Sequence, residues 1–102
     1  MQIIVTQQHD DRALLKLSGR LEGGAYAELK RACARLLLMP AVRNIRLDLQ
    51  DVESLGSGAI GALLVLSEQA GAAGRGFRLL GGREEVRQTL ESAGLRVSLW
   101  VA

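Results

Sequence analysis

The sequence has few of the residue types from which metal, cofactor and nucleic-acid sites are built. It contains one cysteine, one histidine and one each of phenylalanine, tyrosine and tryptophan among 102 residues. A single cysteine, Cys33, excludes an intramolecular disulfide and a zinc cage made of cysteines, and it fits a reducing compartment. Three scattered aromatic rings exclude a stacking platform for single-stranded nucleic acid. We therefore expect no cofactor and no metal.

Clustered charge and long apolar runs are also lacking. The net charge is only +2, and the arginines are spread along the chain. A nucleic-acid surface needs clustered cations to displace counterions, so no nucleic-acid partner is predicted. No basic segment followed by an apolar run opens the chain, and no apolar run reaches membrane-spanning length. We expect a cytoplasmic protein without membrane insertion.

The composition that remains is that of one globular domain. Hydrophobic residues make up 48% and charged residues 24% of the chain. Both fractions are ordinary for a folded protein, and the length is typical of a single domain. Residues 1–102 are therefore predicted to form one domain.

Hydrophobic periodicity predicts strands and helices in the order β-β-α-β-α-β-α-β. Helices separate the last strands, which favours right-handed parallel crossovers and a mixed β-sheet with the helices mainly on one face. The predicted strands are 2–7, 13–17, 45–49, 77–80 and 97–101, and the predicted helices are 25–39, 57–71 and 83–93. Because residues 45–49 alternate strictly, Asp48 is predicted on a polar, solvated strand face.

The segment from Gly56 to Gly61 has the spacing G-x-G-x-x-G of a dinucleotide fingerprint. Three features argue against that interpretation. Residues 50–55 separate it from the predicted strand, no acidic residue follows about 20 residues later, and the strand has a polar face. A tight strand-to-helix turn with Ser57 as the helix N-cap is favoured. Catalysis is not predicted, because neither His9 nor any other base is placed beside Ser57.

The helix after Ser57 carries apolar residues on nearly all sides. One stripe is predicted to face the core, and its members are Ile60, Leu63, Leu64 and Ser67. A second stripe extends beyond a normal buried face and consists of Ala59, Ala62, Val65 and Leu66. It is interpreted either as a partner-binding surface or as a wider contact with the core.

These features together resemble the STAS domain, the family of bacterial anti-sigma-factor antagonists and sulfate-transporter tails. The element order and the length agree, and Ile45–Leu49 has the family's hydrophobic-x-L-D-L form. In the family a turn with aspartate and then serine or threonine opens the next helix, and that hydroxyl residue is phosphorylated. Ser57 stands at that position. Gly56 replaces the aspartate, and Ala59 replaces a family glycine.

The resemblance implies a non-enzymatic regulatory module that acts by partner switching. The expected partners are an anti-sigma factor with serine kinase activity and a phosphatase, and Ser57 is the expected phosphorylation site. The expected partner-binding residues are Gly56, Ser57, Gly58, Ala59, Ala62, Val65 and Leu66. An unphosphorylated accessory subunit of a lipid-transport ATPase is the alternative, a nucleotide-binding module is a third hypothesis, and a homodimer is left open.

Overall fold

The computed structural model describes residues 2–7 and 11–98, and these contain five strands and three helices in the predicted order. The elements are β1 (Gln2–Gln7), β2 (Arg12–Leu21), α1 (Ala25–Leu37), β3 (Asn44–Leu55), α2 (Ala59–Ala72), β4 (Gly76–Leu80), α3 (Glu84–Ser92) and β5 (Val97–Ser98). The α/β class is thereby confirmed. The predicted turn residues His9 and Asp10, and residues 99–101 of the last predicted strand, lie outside the described residues.

The strands form a mixed sheet in the order β1-β2-β3-β4-β5. β1 and β2 are antiparallel neighbours, whereas β2, β3, β4 and β5 pair in parallel. Each parallel connection contains one helix, as parallel strands require a crossover. The mixed sheet predicted from the element order is confirmed.

The hydrophobic core lies on one face of the sheet. Alternate residues of the central strands, such as Leu15 on β2 and Leu47 on β3, are buried in one cluster with Leu29 of α1, Leu63 of α2 and Leu90 of α3. Each such side chain contributes about 1.5–3 kcal/mol through its removal from water. Because all three helices share this cluster, their packing on one sheet face agrees with the prediction.

Two boundaries and one burial assignment differ from the prediction. β2 and β3 continue to pair as far as Leu21 and Leu55, through two register shifts, so residues 50–55 belong to a strand and not to a loop. Asp48 is only 5% exposed, and its Oδ1 accepts the backbone N–H of Gln50 at 2.9 Å. The predicted solvated position of Asp48 is wrong, because this hydrogen bond replaces water at the carboxylate.

None of the helices in the described residues is both long enough and apolar enough to cross a bilayer. The longest, α2, has 14 residues. A transmembrane helix needs roughly 20 apolar residues.

Candidate partner-binding site

Two strand-to-helix turns lie side by side at the carboxyl edge of the sheet. Leu21 and Leu55 end the neighbouring parallel strands β2 and β3 and are partners in their register. One residue further on, the N–H of Gly56 donates to the carbonyl oxygen of Leu21 at 2.7 Å. The starts of α1 and α2 are therefore held next to each other.

Ser57 lies in the middle of the turn that opens α2. The N–H of Ala59 donates to the carbonyl oxygen of Gly56 at 3.1 Å, which closes the turn and leaves Ser57 exposed at its outside. The N-cap is Gly58, which has no side chain of its own to accept an amide from the first turn. The prediction of Ser57 as N-cap is wrong, because the N-cap lies one residue later, at Gly58. The predicted exposure of the Ser57 hydroxyl is retained.

Tyr26 connects the two turns. It lies in the first turn of α1, and its hydroxyl oxygen accepts the backbone N–H of Gly58 at 3.2 Å. The residue is half-buried. The hydroxyl therefore accepts one of the amides at the start of α2 that has no partner within the helix.

The exposed side of α2 differs from the predicted stripe. Ala59, Ala62, Leu63, Leu66 and Ala70 are buried. Ser57, Gly61, Leu64, Val65 and Glu68 are exposed, at the spacing of one helical face, and we call these five residues the α2 outer face. The prediction that Ala59, Ala62 and Leu66 are free for a partner is wrong, and so is the assignment of Leu64 to the core.

The error concerns the rotation of the helix about its axis. Because α2 is apolar nearly all round, large hydrophobic residues do not define its buried side. The one charged residue of α2 would have indicated its exposed side: Glu68 lies one helical turn from Leu64 and two turns from Gly61. Gly61, Leu64 and Glu68 are thus the surface residues that the sequence reasoning missed.

Charged side chains near the ends of β2 and β3 are solvated. Arg20 and Glu53 lie 3.9 Å apart, with both side chains more than half exposed. Together with Glu22 and Glu28 they line a shallow depression beside the start of α1. An ion pair this exposed contributes little to stability. The depression offers a partner more negative than positive charge.

No group of three or more potential metal ligands occurs in the described part of the chain. One argument against a nucleotide site was wrong, since β3 runs directly to Leu55 before the glycines. However, the Gly56 and Gly58 amides donate to Leu21 and Tyr26 and are not free for phosphate oxygens.

The sequence model of the STAS domain matches residues 3–102. The chain belongs to the STAS domain family. Its similarity to solved STAS structures extends over nearly the whole fold. The anti-sigma factor antagonist SpoIIAA in its unphosphorylated form superposes with a TM-score of 0.85 at 17% identity, over 98% of this chain and 89% of that one.

Two further structures have the same fold at low sequence identity. The phosphorylated form of SpoIIAA from Bacillus has a TM-score of 0.80 at 16% identity, over 98% of this chain and 92% of that one. An anti-sigma factor antagonist from Mycobacterium paratuberculosis has a TM-score of 0.79 at 21% identity, over 95% of this chain and 84% of that one. At these identities the likeness establishes the fold of this STAS domain.

In this STAS domain, Gly56 stands where the resemblance places an aspartate, and the space around it is too small for a side chain. A Cβ atom on Gly56 would lie 2.7 Å from Tyr26 Oη, 2.7 Å from Glu22 Cβ and 3.1 Å from the Leu21 carbonyl oxygen. Non-bonded carbon atoms make good contact only at about 3.5–4.0 Å. An aspartate therefore does not fit at position 56 while Tyr26 and Glu22 keep their places.

Proposed function

We propose that this STAS domain is a regulatory binding module of the anti-sigma-factor antagonist type, switched by phosphorylation of Ser57. It docks on an anti-sigma factor with serine kinase activity, and this releases a sigma factor for transcription. The observation that carries the proposal is the α2 outer face, in which an exposed hydroxyl at Ser57 continues into the exposed apolar side chains of Leu64 and Val65.

The apolar part of this face supports docking on a protein. Leu64 is 37% and Val65 is 43% exposed, and both lie on a helix whose opposite side is fixed in the core. Burying them against a partner removes apolar surface from water without any rearrangement of the fold. Gly61, which also lies on this face, leaves room for a partner side chain to approach the helix backbone.

The position of Ser57 supports a charge switch. Its turn is exposed, and a phosphate there stays in water and near the positive end of the α2 dipole, so the fold tolerates it. Phosphorylation adds about −1.5 to −2 charges. In a docked complex the same charge is removed from water without a counterion. This lowers the binding free energy by several kcal/mol, which is enough to abolish micromolar binding. A phosphatase restores the docking form, and the module itself performs no chemistry.

The direct test is incubation with an anti-sigma factor kinase from the same organism and ATP, followed by intact-mass spectrometry. We expect one added phosphate on the wild-type protein and none on Ser57→Ala. Ser92, which is exposed on α3, supplies the control variant Ser92→Ala, which should be phosphorylated like the wild type. Phosphate on Ser57→Ala, or none on the wild type, would contradict phosphorylation at this serine.

The second candidate is an accessory subunit of a lipid-transport ATPase that is never phosphorylated. It is favoured by Gly56, since the family aspartate before the serine is absent and Tyr26 and Glu22 fill the space that it would need. This function uses the same α2 outer face as a permanent contact. Stoichiometric co-purification with an ATPase subunit, lost in Val65→Glu, would support it. Retention of that subunit by Val65→Glu would exclude the α2 outer face as its binding surface.

A further inference from the structure

Tyr26 meets the Ser57 turn at three points. Its hydroxyl oxygen accepts the Gly58 N–H at 3.2 Å. Its ring lies against Gly58, where a Cβ atom would be 3.1 Å from Cε2. The hydroxyl also lies over Gly56, where a Cβ atom would be 2.7 Å from Oη. One side chain from α1 therefore occupies the space on both sides of Ser57.

Backbone conformation does not explain the two glycines that flank Ser57. Gly58 has a φ of −94°, and Gly56 is not among the glycines with positive φ. Neither glycine therefore has the positive φ that disfavours residues with a side chain. At Gly56 a Cβ atom would clash with Glu22 Cβ and the Tyr26 hydroxyl, and at Gly58 it would crowd the Tyr26 ring. The glycines and the tyrosine thus depend on each other.

We propose that Tyr26 is the positioning residue of the Ser57 turn. Its ring and hydroxyl fix Gly56 to Gly58 in the conformation that turns Ser57 towards solvent. The Tyr26 hydroxyl also limits, together with Glu22 Cβ, the space for a side chain at position 56. A turn that is fixed before docking loses less conformational entropy on binding. Only this last step, the effect on docking, rests on the proposed function.

The hydrogen bond is tested by NMR on the isolated domain with Tyr26→Phe, which keeps the ring and removes the hydroxyl. We expect the Gly58 amide proton to exchange with water at least several-fold faster than in the wild type. The Ala62 amide, which donates to the Gly58 carbonyl oxygen at 3.0 Å within α2, is the internal reference and should not change. An unchanged exchange rate at Gly58 would overturn the positioning role of the hydroxyl.

The dependence between residues 26 and 56 is tested by a double-mutant cycle. We expect Gly56→Ala to lower the Tm by about 5 °C or more in the wild-type background, a shift typical of a loss near 1 kcal/mol in a domain of this size. In the Tyr26→Ala background the loss should be smaller, because the clash with the Tyr26 hydroxyl is removed, but a loss should remain, because Glu22 Cβ still limits the space.

Gly61→Ala is the control for the cycle, because a Cβ atom there meets nothing within 4 Å. It should leave the Tm unchanged or raise it in both backgrounds, since alanine favours a helix. Equal losses for Gly56→Ala in the two backgrounds would assign the steric restriction to Glu22 and the Leu21 carbonyl and would overturn the dependence on Tyr26.

Binding of a partner separates this proposal from the proposed function. Suppose that the Gly58 amide exchanges faster in Tyr26→Phe and that Ser57→Asp binds the partner as tightly as the wild type. The positioning role of Tyr26 would then be retained, and the phosphorylation switch would be refuted. If instead Ser57→Asp binds the partner more weakly and the Gly58 amide exchanges at an unchanged rate in Tyr26→Phe, the switch would be retained and the positioning role would be refuted. If the fixed turn promotes docking, Tyr26→Phe also binds the partner several-fold more weakly. An unchanged affinity would refute the effect of the fixed turn on docking.

Discussion

Val65 and Leu66 are consecutive residues of α2, about 100° apart around its axis, and only Val65 reaches solvent. Val65 is 43% exposed, whereas Leu66 is 2% exposed and packs in the cluster shared by the sheet and the helices. The two side chains are both aliphatic, so their difference is set by the rotation of the helix. They form a matched pair that separates binding from folding.

Glutamate at these two positions should have opposite consequences. Val65→Glu places the charge in water, so we expect a change in unfolding free energy within about 1 kcal/mol and a loss of partner binding. Leu66→Glu buries an unpaired carboxylate and should cost about 3 kcal/mol or more. Chemical denaturation measures the unfolding free energy of each variant, and calorimetric titration measures its affinity for the partner. Equal destabilisation by both variants would show that the outer face is part of the core.

Arg75 should stabilise the junction between two loops. Its Nη1 donates to the carbonyl oxygen of Met39 at 3.1 Å and to that of Val42, which joins the end of α1 to the segment before β4. We expect Arg75→Ala to lower the unfolding free energy by about 1–3 kcal/mol, because charge-assisted hydrogen bonds are lost. Arg78→Ala, at an exposed position on β4, is the control and should change stability by about 0.5 kcal/mol or less. Equal stabilities in denaturant would contradict the role of Arg75.

Cys33 should react with thiol reagents only when the protein unfolds. Its side chain is buried in α1, and burial raises the pKa of the thiol from 9.0 to about 11. At pH 8 we expect no labelling of the folded protein by a disulfide reagent and one labelled thiol in denaturant. Labelling of the folded protein at the rate of a free thiol would contradict the burial of Cys33.

The same thiol makes stability depend on pH in the alkaline range. Between the unfolded pKa of 9.0 and the folded pKa of about 11, the unfolded chain releases a proton that the folded chain keeps. The unfolding free energy attributable to Cys33 is therefore fully present below pH 9 and falls as the pH rises towards 11. Cys33→Ala should flatten this part of the pH profile. An identical slope in wild type and variant would show that other groups cause it.

The sequence predicts most of the fold because alternation and helical periodicity are strong in its central segments. Ile45, Leu47 and Leu49 alternate with polar residues and are buried as expected. The continuation of β3 to Leu55 was not predicted, because it depends on pairing with β2, a contact between distant parts of the chain. The burial of Asp48 was also missed, since alternation alone does not show that the N–H of Gln50 donates to its carboxylate and offsets part of the cost of burial.

The candidate site could be predicted only in part. The exposure of Ser57 and of Val65 agrees with the sequence reasoning. The orientation of α2 was wrong, because its apolar residues surround the axis and the contacts with β4 and α1 determine which side is buried. The role of Tyr26 was not detectable, since 32 residues separate it from Gly58 and nothing local relates the two.

Partner switching requires that Ser57 lies within the surface that a partner covers. The most direct measurement is the Kd of an anti-sigma factor kinase for the wild type, Ser57→Asp and the control Ser92→Asp. We predict that Ser57→Asp weakens binding more than tenfold, as a desolvated charge worth at least about 1.4 kcal/mol requires, with an unchanged Tm. Ser92→Asp should bind like the wild type. A Ser57→Asp variant that binds as tightly as the wild type would contradict the central claim.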